Sequence, residues 1–101
     1  MKISEFQAMI DKVYGAKDRD RGASATFQWF TEEVGELARA MRKGDSENMK
    51  EEFADVLAWL STLASICKID LEEAALAKYP GKCSKCGNIP CSCPESFNPG
   101  L

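Results

Sequence analysis

The apolar side chains of two long segments recur every three or four residues, and this spacing constrains the fold more than any other feature. In residues 24–43 they form a stripe that we expect to be buried, consisting of Phe27, Phe30, Val34, Leu37 and Met41. A second stripe, in residues 45–68, consists of Phe53, Val56, Leu57, Leu60, Leu63, Ala64 and Cys67. The period is that of an amphipathic α-helix, and no segment reads convincingly as a strand. The chain is therefore predicted to be all-α.

Local signals set the ends of the first two helices. Ser4 is expected to cap a first helix that ends near Val13. The stretch 15–22 is dense in charge and bracketed by glycines, so it is predicted to be a loop. Ser24 is expected to cap the second helix, and Gly44 is suited to the left-handed conformation that ends it.

Two further helices follow from the same kind of evidence. Asp45 is expected to cap a third helix that runs to about Lys68. Asp70 followed three residues later by Glu73 resembles a capping box, which predicts a short fourth helix ending near Tyr79. A Pro-Gly pair stops that helix. We expect a helical domain at residues 1–80, a cysteine-rich segment at 81–94 and a loose tail at 95–101.

Composition excludes several classes of function. The chain of 101 residues has a net charge of −3, which disfavours binding to nucleic acid or to an anionic membrane. No apolar run approaches the roughly 18 residues of a membrane span, and the first residues do not resemble a signal peptide, so a cytoplasmic protein is expected. The absence of histidine excludes a Ser-His-Asp triad within one chain. General-base chemistry is therefore expected from a carboxylate, with a lysine or a tyrosine as the alternative.

Four carboxylates form the main candidate site. Glu33 and Glu36 lie beside the stripe of the second helix, and Glu52 and Asp55 lie beside that of the third. If the two helices pack antiparallel, both pairs meet, and two carboxylates about 6 Å apart repel by roughly 3 kcal/mol at an effective dielectric constant near 20. A hard cation such as Mg²⁺ or Mn²⁺, which also binds substrate phosphates, offsets this repulsion. The alternative is a solvated glutamate face.

The acidic segments also resemble a known family. Glu-Glu-Val-Gly-Glu at residues 32–36 and Glu-Glu-Phe-Ala-Asp-Val-Leu at 51–57 are similar to the Glu-x-x-Glu, spacer, Glu-x-x-Asp signature of the MazG-like all-α nucleotide pyrophosphohydrolases. The resemblance covers roughly residues 6–79. It implies hydrolysis between the α and β phosphates of a nucleoside triphosphate, giving a monophosphate and pyrophosphate. It also implies a helical bundle completed by a homodimer or a dimer of dimers.

The resemblance further implies roles for particular residues. Glu33, Glu36, Glu52 and Asp55 would hold the Mg²⁺ that binds the triphosphate, and one of them or Glu32 would orient the attacking water. Family members often continue the fourth helix with residues that contact substrate, and this chain departs from that pattern. Phosphoribosyl-ATP pyrophosphatase is a near alternative with similar acids.

Basic and aromatic residues near the acids are candidates for substrate binding. Lys17, Arg19 and Arg21 precede the second helix and are candidates for contacts with phosphates, with a solvated loop as the alternative. Trp29 and Trp59 each lie one turn from an acidic pair, on the acidic side of their stripes, and either is able to stack on a base. Packing in the core or at a subunit interface is the alternative for both.

Four cysteines within eleven residues form a second candidate site. Cys83, Cys86, Cys91 and Cys93 have the pattern C-x₂-C, four residues, C-x-C, which resembles a zinc knuckle. Four thiolates suit a closed, structural Zn²⁺ site, and disulfides or an iron–sulfur cluster are the alternatives. The lone Cys67 is expected to be a buried, inert thiol. If the acids have no chemical role, the chain is instead a zinc-knuckle interaction protein whose helices dimerise.

Overall fold

The computed structural model describes residues 1–94, and all of its regular structure in that range is helical. The four helices are α1 (Ile3–Arg21), α2 (Ala23–Lys43), α3 (Ser46–Ile66) and α4 (Leu71–Lys78). No strand occurs within residues 1–94, so the all-α prediction is confirmed. None of these helices is long and apolar enough to cross a membrane. The tail predicted at residues 95–101 lies outside the described residues.

The first helix is longer than predicted, and the prediction of a loop at residues 15–22 is wrong. α1 continues through Gly15 to Arg21, and Gly15 is buried. Arg19 Nη1 lies 2.9 Å from Asp11 Oδ1, so an ion pair spans two turns across the glycine. A Cβ atom on Gly15 would lie only 2.6 Å from Asp11 Oδ1 and 2.9 Å from Arg19 Nη1. Glycine therefore leaves room for the ion pair here and does not break the helix.

A buried carboxylate joins the end of α1 to α3. Asp18 is only 5% exposed. It accepts hydrogen bonds from Arg21 Nη1 at 3.0 Å and from Thr62 Oγ1 at 3.0 Å. Because a buried carboxylate is costly unless it is hydrogen-bonded and paired, these two partners account for its position. The charges that suggested a loop therefore make specific contacts in a helix.

A buried amide fixes the other end of α1. Gln7 Nε2 donates to Ser65 Oγ at 3.1 Å and to the Ile69 carbonyl oxygen at 2.7 Å. The backbone N–H of Leu71 donates to Gln7 Oε1 at 2.9 Å. A single side chain thus satisfies backbone groups of the turn that follows α3, where regular helical hydrogen bonds have ended.

The connection between α2 and α3 follows the sequence closely. Gly44 adopts the left-handed conformation with φ of +71°, and its N–H donates to the carbonyl oxygens of Ala40 and Met41. Asp45 Oδ1 accepts from the Asn48 backbone N–H at 3.2 Å, which confirms the predicted cap. The short connection makes α2 and α3 a helical hairpin.

The predicted caps of α1 and α2 are wrong, whereas the fourth helix lies where it was expected. Ser4 and Ser24 both lie inside helices, one residue beyond the first residue of each. α2 begins directly after Gly22, whose φ of +85° separates it from α1. α3 ends at Ile66, slightly before the predicted end.

Much of the predicted core is exposed in the single chain. Within residues 1–94, the buried hydrophobic residues are Ile10, Ala40 and Ala64. Six stripe residues of α2 and α3 are between 37% and 58% exposed: Phe27, Val34, Met41, Phe53, Leu57 and Leu60. Cys67 is also exposed, so the expectation of a buried thiol is wrong. Periodicity identified the apolar faces correctly, but the single chain does not cover them.

The chain divides into two compact units. The first is Met1–Leu71 and contains α1, α2 and α3, while the second begins at Glu72. α4 contains no buried residue. The described residues after it, 79–94, form turns and bends around the four clustered cysteines.

Candidate functional site

Side chains of α2 and α3 bring three carboxylates together. The Trp29 and Trp59 rings stack with centroids 6.1 Å apart, while the later Glu33 lies beside the earlier Asp55. This order shows that the two helices run antiparallel. One carboxylate oxygen each of Glu33, Glu52 and Asp55 lies within 4.8 Å of the others. Three of the four acids selected from the sequence therefore share one site.

One oxygen in this acidic cluster (Glu33, Glu52 and Asp55) lacks a partner. Glu52 Oε2 is buried, and no hydrogen-bond donor in the described part of the chain reaches it. An acceptor that has lost water and gained no donor is costly, and more so in a charged group. A cation is the natural partner of such an oxygen. The carboxylate oxygens of the cluster, without histidine or thiolate, suit Mg²⁺ or Mn²⁺.

The electrostatics of Glu33 agree with a crowded anionic site. Burial raises the pKa of the Glu33 carboxyl above its ordinary value, and the hydrogen bond between its protonated form and Glu52 adds to this effect. The negative charges of Asp55, Glu52 and Glu36 raise this pKa further. Without a cation, the cluster therefore disfavours the charged form of Glu33.

A cavity opens next to the cluster. Its volume is about 240 Å³, and Asp55 belongs both to its lining and to the acidic cluster. The remaining lining residues come from α1 and α3 and are Ile10, Tyr14, Asp18, Arg21, Ala58, Trp59 and Thr62. The site thus combines an anionic group with an adjacent cavity that contains aromatic and basic side chains.

Comparison with known families identifies the family of the chain. The profile of the MazG nucleotide pyrophosphohydrolase domain matches residues 21–87, about two thirds of the chain. The chain belongs to this family. The matched range contains α2, α3 and α4, and thus every residue of the acidic cluster. Membership supports a nucleotide pyrophosphohydrolase activity in general and a nucleotide as the substrate class. A comparison with curated proteins finds no match.

The two remaining acids selected from the sequence, Glu36 and Glu32, lie outside the acidic cluster. Glu36 Oε2 is 3.8 Å from Arg39 Nη1, and Glu36 is partly exposed. Its charge still acts on Glu33, which is one turn earlier on the same face of α2. Glu32 is exposed. Glu36 is thus near the edge of the site.

The aromatic and basic candidates fall into two groups. Arg21 lies over the Trp59 ring at 4.9 Å and lines the cavity, and Trp59 stacks on Trp29. Lys17 is exposed on α1 and does not line the cavity, while Arg19 forms its ion pair with Asp11. The structure therefore places Arg21, Trp29 and Trp59 together and Lys17 elsewhere on α1.

Three polar residues at the cavity were missed by the sequence analysis. Tyr14, Asp18 and Thr62 line it, and Asp18 also holds Arg21 in place through a hydrogen bond of 3.0 Å. Tyr14, Asp18 and Arg21 are spaced as neighbours on one face of a helix. Their common face was not recognised because the segment was assigned to a loop.

The four cysteines form a separate cluster in the second unit. One Sγ atom each of Cys83, Cys86, Cys91 and Cys93 lies within 4.8 Å of the others. Backbone N–H groups lower the pKa of Cys83, and that of Cys86 to about 5. Burial, followed by the neighbouring thiols, raises the pKa of Cys93 to about 12. The lowered pKa values of Cys83 and Cys86 follow because backbone N–H groups stabilise their anions directly.

Proposed function

We propose that this MazG domain hydrolyses ribo- or deoxyribonucleoside triphosphates to the monophosphate and pyrophosphate, with Mg²⁺ as the cofactor and Mn²⁺ as a substitute. The observation that carries the proposal is the convergence of Glu33, Glu52 and Asp55, with Glu52 Oε2 buried and unpartnered. Family membership supports the reaction class, and the geometry supports the metal and its position.

Each acid has a defined part in this proposal. Glu33, Glu52 and Asp55 hold the cation, and Glu36 adds negative charge from the edge of the site. The bound cation neutralises charge on the triphosphate oxygens. One of these carboxylates, or Glu32, accepts a proton from the water that attacks phosphorus. The new P–O bond forms as the bond to the pyrophosphate leaving group breaks.

The cavity beside Asp55 is the proposed position of the nucleoside. Trp59 lines it as an aromatic neighbour for a base, with Trp29 stacked against its ring and Arg21 4.9 Å over the same ring. Arg21 is held by Asp18 and by Thr26 Oγ1 at 3.3 Å, so its guanidinium is oriented before substrate arrives. Lys17, one turn earlier in α1, is proposed to approach the phosphates from outside the cavity.

We also propose that the domain acts as a homodimer or a dimer of dimers. The exposed stripes of α2 and α3 include Phe27, Met41 and Phe53, each more than half exposed in a single chain. Exposed apolar stripes of this kind favour an interaction site, and a chain with few buried apolar residues gains stability by covering them. A second copy presents the same self-complementary stripes.

Two alternatives make different predictions. A phosphoribosyl-ATP pyrophosphatase would release pyrophosphate from phosphoribosyl-ATP and not from common nucleoside triphosphates. A zinc-knuckle interaction protein would release none from either, and its properties would tolerate Glu36→Gln and Asp55→Asn. The buried, unpartnered oxygen of Glu52 disfavours the second alternative, because an interaction protein has no use for this cost.

Product identification tests the proposal. The full chain is incubated with Mg²⁺ and a panel of ribonucleotides, deoxyribonucleotides and phosphoribosyl-ATP, and the products are followed by ³¹P NMR. We expect equal amounts of monophosphate and pyrophosphate from at least one triphosphate, and loss of the signal with Asp55→Asn. Diphosphate with orthophosphate, or turnover of phosphoribosyl-ATP alone, would contradict the proposed reaction.

A further inference from the structure

The described residues after α4 have no apolar core of their own. Residues 79–94 contain no helix or strand and no fully buried side chain. Two backbone hydrogen bonds close their main turn, from Cys83 N to the Asn88 carbonyl oxygen and from Gly87 N to the Cys83 carbonyl oxygen. Without an apolar core, such a segment requires another source of stability.

The cysteine sulfur atoms have the spacing of a metal site. The Sγ atoms of Cys83 and Cys93 are 3.8 Å apart, and those of Cys86 and Cys91 lie within 4.8 Å of both. With Zn–S bonds of about 2.3 Å, tetrahedral geometry separates two sulfur atoms by about 3.8 Å. A disulfide instead requires about 2.05 Å between sulfurs. The spacing therefore matches one edge of a tetrahedral tetrathiolate site and is much too long for a covalent bond.

Backbone donors stabilise negative charge on three of the four sulfurs. Cys83 Sγ accepts N–H groups from Lys85 at 3.4 Å and Cys86 at 3.5 Å. Cys86 Sγ accepts from Ser92 N at 3.4 Å, and Cys91 Sγ accepts from Cys93 N at 3.4 Å. Four thiolates around a divalent cation carry a net charge of −2, which such donors offset.

A glycine makes this arrangement possible in the first turn. Gly87, which follows Cys86, has φ of +77°, a backbone conformation that residues other than glycine rarely adopt. This conformation allows the chain to reverse after the C-x₂-C pair and return towards Cys91. The backbone is thus folded around the sulfur atoms themselves.

We propose that Cys83, Cys86, Cys91 and Cys93 bind one Zn²⁺ in a closed structural site, and that this ion is what folds residues 79–94. Binding releases the remaining thiol protons and leaves four Zn–S bonds, with no oxidation and no open coordination position. The site shares no ligand with the acidic cluster. Its ligands lie in the second unit and include no carboxylate.

Metal content of the whole chain provides the first test. Protein is purified under reducing conditions without added metal, and its metal content is measured by inductively coupled plasma mass spectrometry. We expect one zinc per chain in the wild type and in Cys67→Ser, the matched control at the exposed thiol outside the cluster. We expect loss of the zinc in Cys86→Ser and Cys91→Ser. Iron in place of zinc, or zinc retained in both of these variants, would overturn the proposal.

Cobalt and protease sensitivity provide the second test. Co²⁺ added to chelator-treated protein is expected to give the intense visible bands of tetrahedral thiolate coordination, which Zn²⁺ then abolishes. Chelation is expected to expose residues 79–94 to proteolysis while helical circular dichroism remains. Absence of the bands, or two disulfides in the reduced preparation, would overturn the proposal. None of these readouts uses nucleotide, so they are independent of the proposed hydrolysis.

Discussion

Replacing one carboxylate of the acidic cluster by its amide is expected to stabilise the metal-free protein. Glu33 has oxygen neighbours on Glu52 and Asp55 within 4.8 Å. For partly exposed groups in a water-like dielectric, each pair repels by about 1 kcal/mol, and physiological salt roughly halves this value. Glu33→Gln removes two such pairs, so the free energy of unfolding should rise by about 1 kcal/mol, or about 4–8 °C in Tm.

The amide suits this test because it changes little else. Glutamate and glutamine have similar helix propensities, and the amide keeps a donor for the hydrogen bond to Glu52. Thermal unfolding is followed by circular dichroism at fixed protein concentration, first with chelator and then with Mg²⁺. Mg²⁺ at about 100 times its Kd should stabilise the wild type by about 2.7 kcal/mol and the variant by much less, which reverses their order.

The control is Glu51→Gln, an exposed position on α3 outside the cluster. It should leave the free energy of unfolding within about 0.5 kcal/mol of the wild-type value in both conditions. If Glu33→Gln destabilises the metal-free protein, the three carboxylates do not repel one another in solution. If Mg²⁺ stabilises the wild type and Glu33→Gln equally, the cation is held elsewhere. Either result would refute the reasoning.

Three further predictions concern pH, the α1–α3 contact and assembly. Between the ordinary value of 4.5 and the raised pKa of Glu33, the folded state binds more protons there than the unfolded state. Stability from this group therefore falls as pH rises through that window, and Mg²⁺ affinity by calorimetry rises; a pH-independent affinity would contradict this. Thr62→Val leaves a buried oxygen of Asp18 without its donor and should cost about 1–3 kcal/mol in urea unfolding, whereas a neutral effect would show that the contact is unimportant. Leu57→Glu should lower the mass measured by analytical ultracentrifugation, and an unchanged mass would exclude α3 from the interface.

Local signals predicted the α2–α3 hairpin well because its determinants are adjacent in sequence. Gly44 and Asp45 fix the end of one helix and the start of the next through contacts with residues three or four positions away. The same locality made the acidic pairs recognisable, since residues three apart share a helix face. These parts of the fold and site required no knowledge of tertiary structure.

The course of α1 was not predictable from the same signals. Its continuation past Gly15 depends on an ion pair between residues eight apart and on the hydrogen bond from Thr62 to Asp18, which are 44 residues apart. A charged stretch that begins and ends with glycine has the same composition as a loop. Its helical character, and its contribution to the cavity, follow from partners that the local sequence does not reveal.

The exposed stripes show a second limit. Periodicity identifies an apolar face but not the surface that covers it. The stripe residues Phe27 and Phe53 were therefore expected to be buried, whereas each of them is more than half exposed in the single chain. Similarly, spacing placed Glu36 with the other acids, but its side chain lies near Arg39.

The central claim is tested most directly by measuring pyrophosphate release with Mg²⁺ in variants of two adjacent glutamates. Glu52 belongs to the acidic cluster and has a buried, unpartnered oxygen, whereas Glu51 is exposed. We predict that Glu52→Gln lowers kcat/KM by about 100-fold or more and that Glu51→Gln retains the wild-type value. Equal activity of the two variants would contradict the assignment of the acidic cluster as the catalytic site.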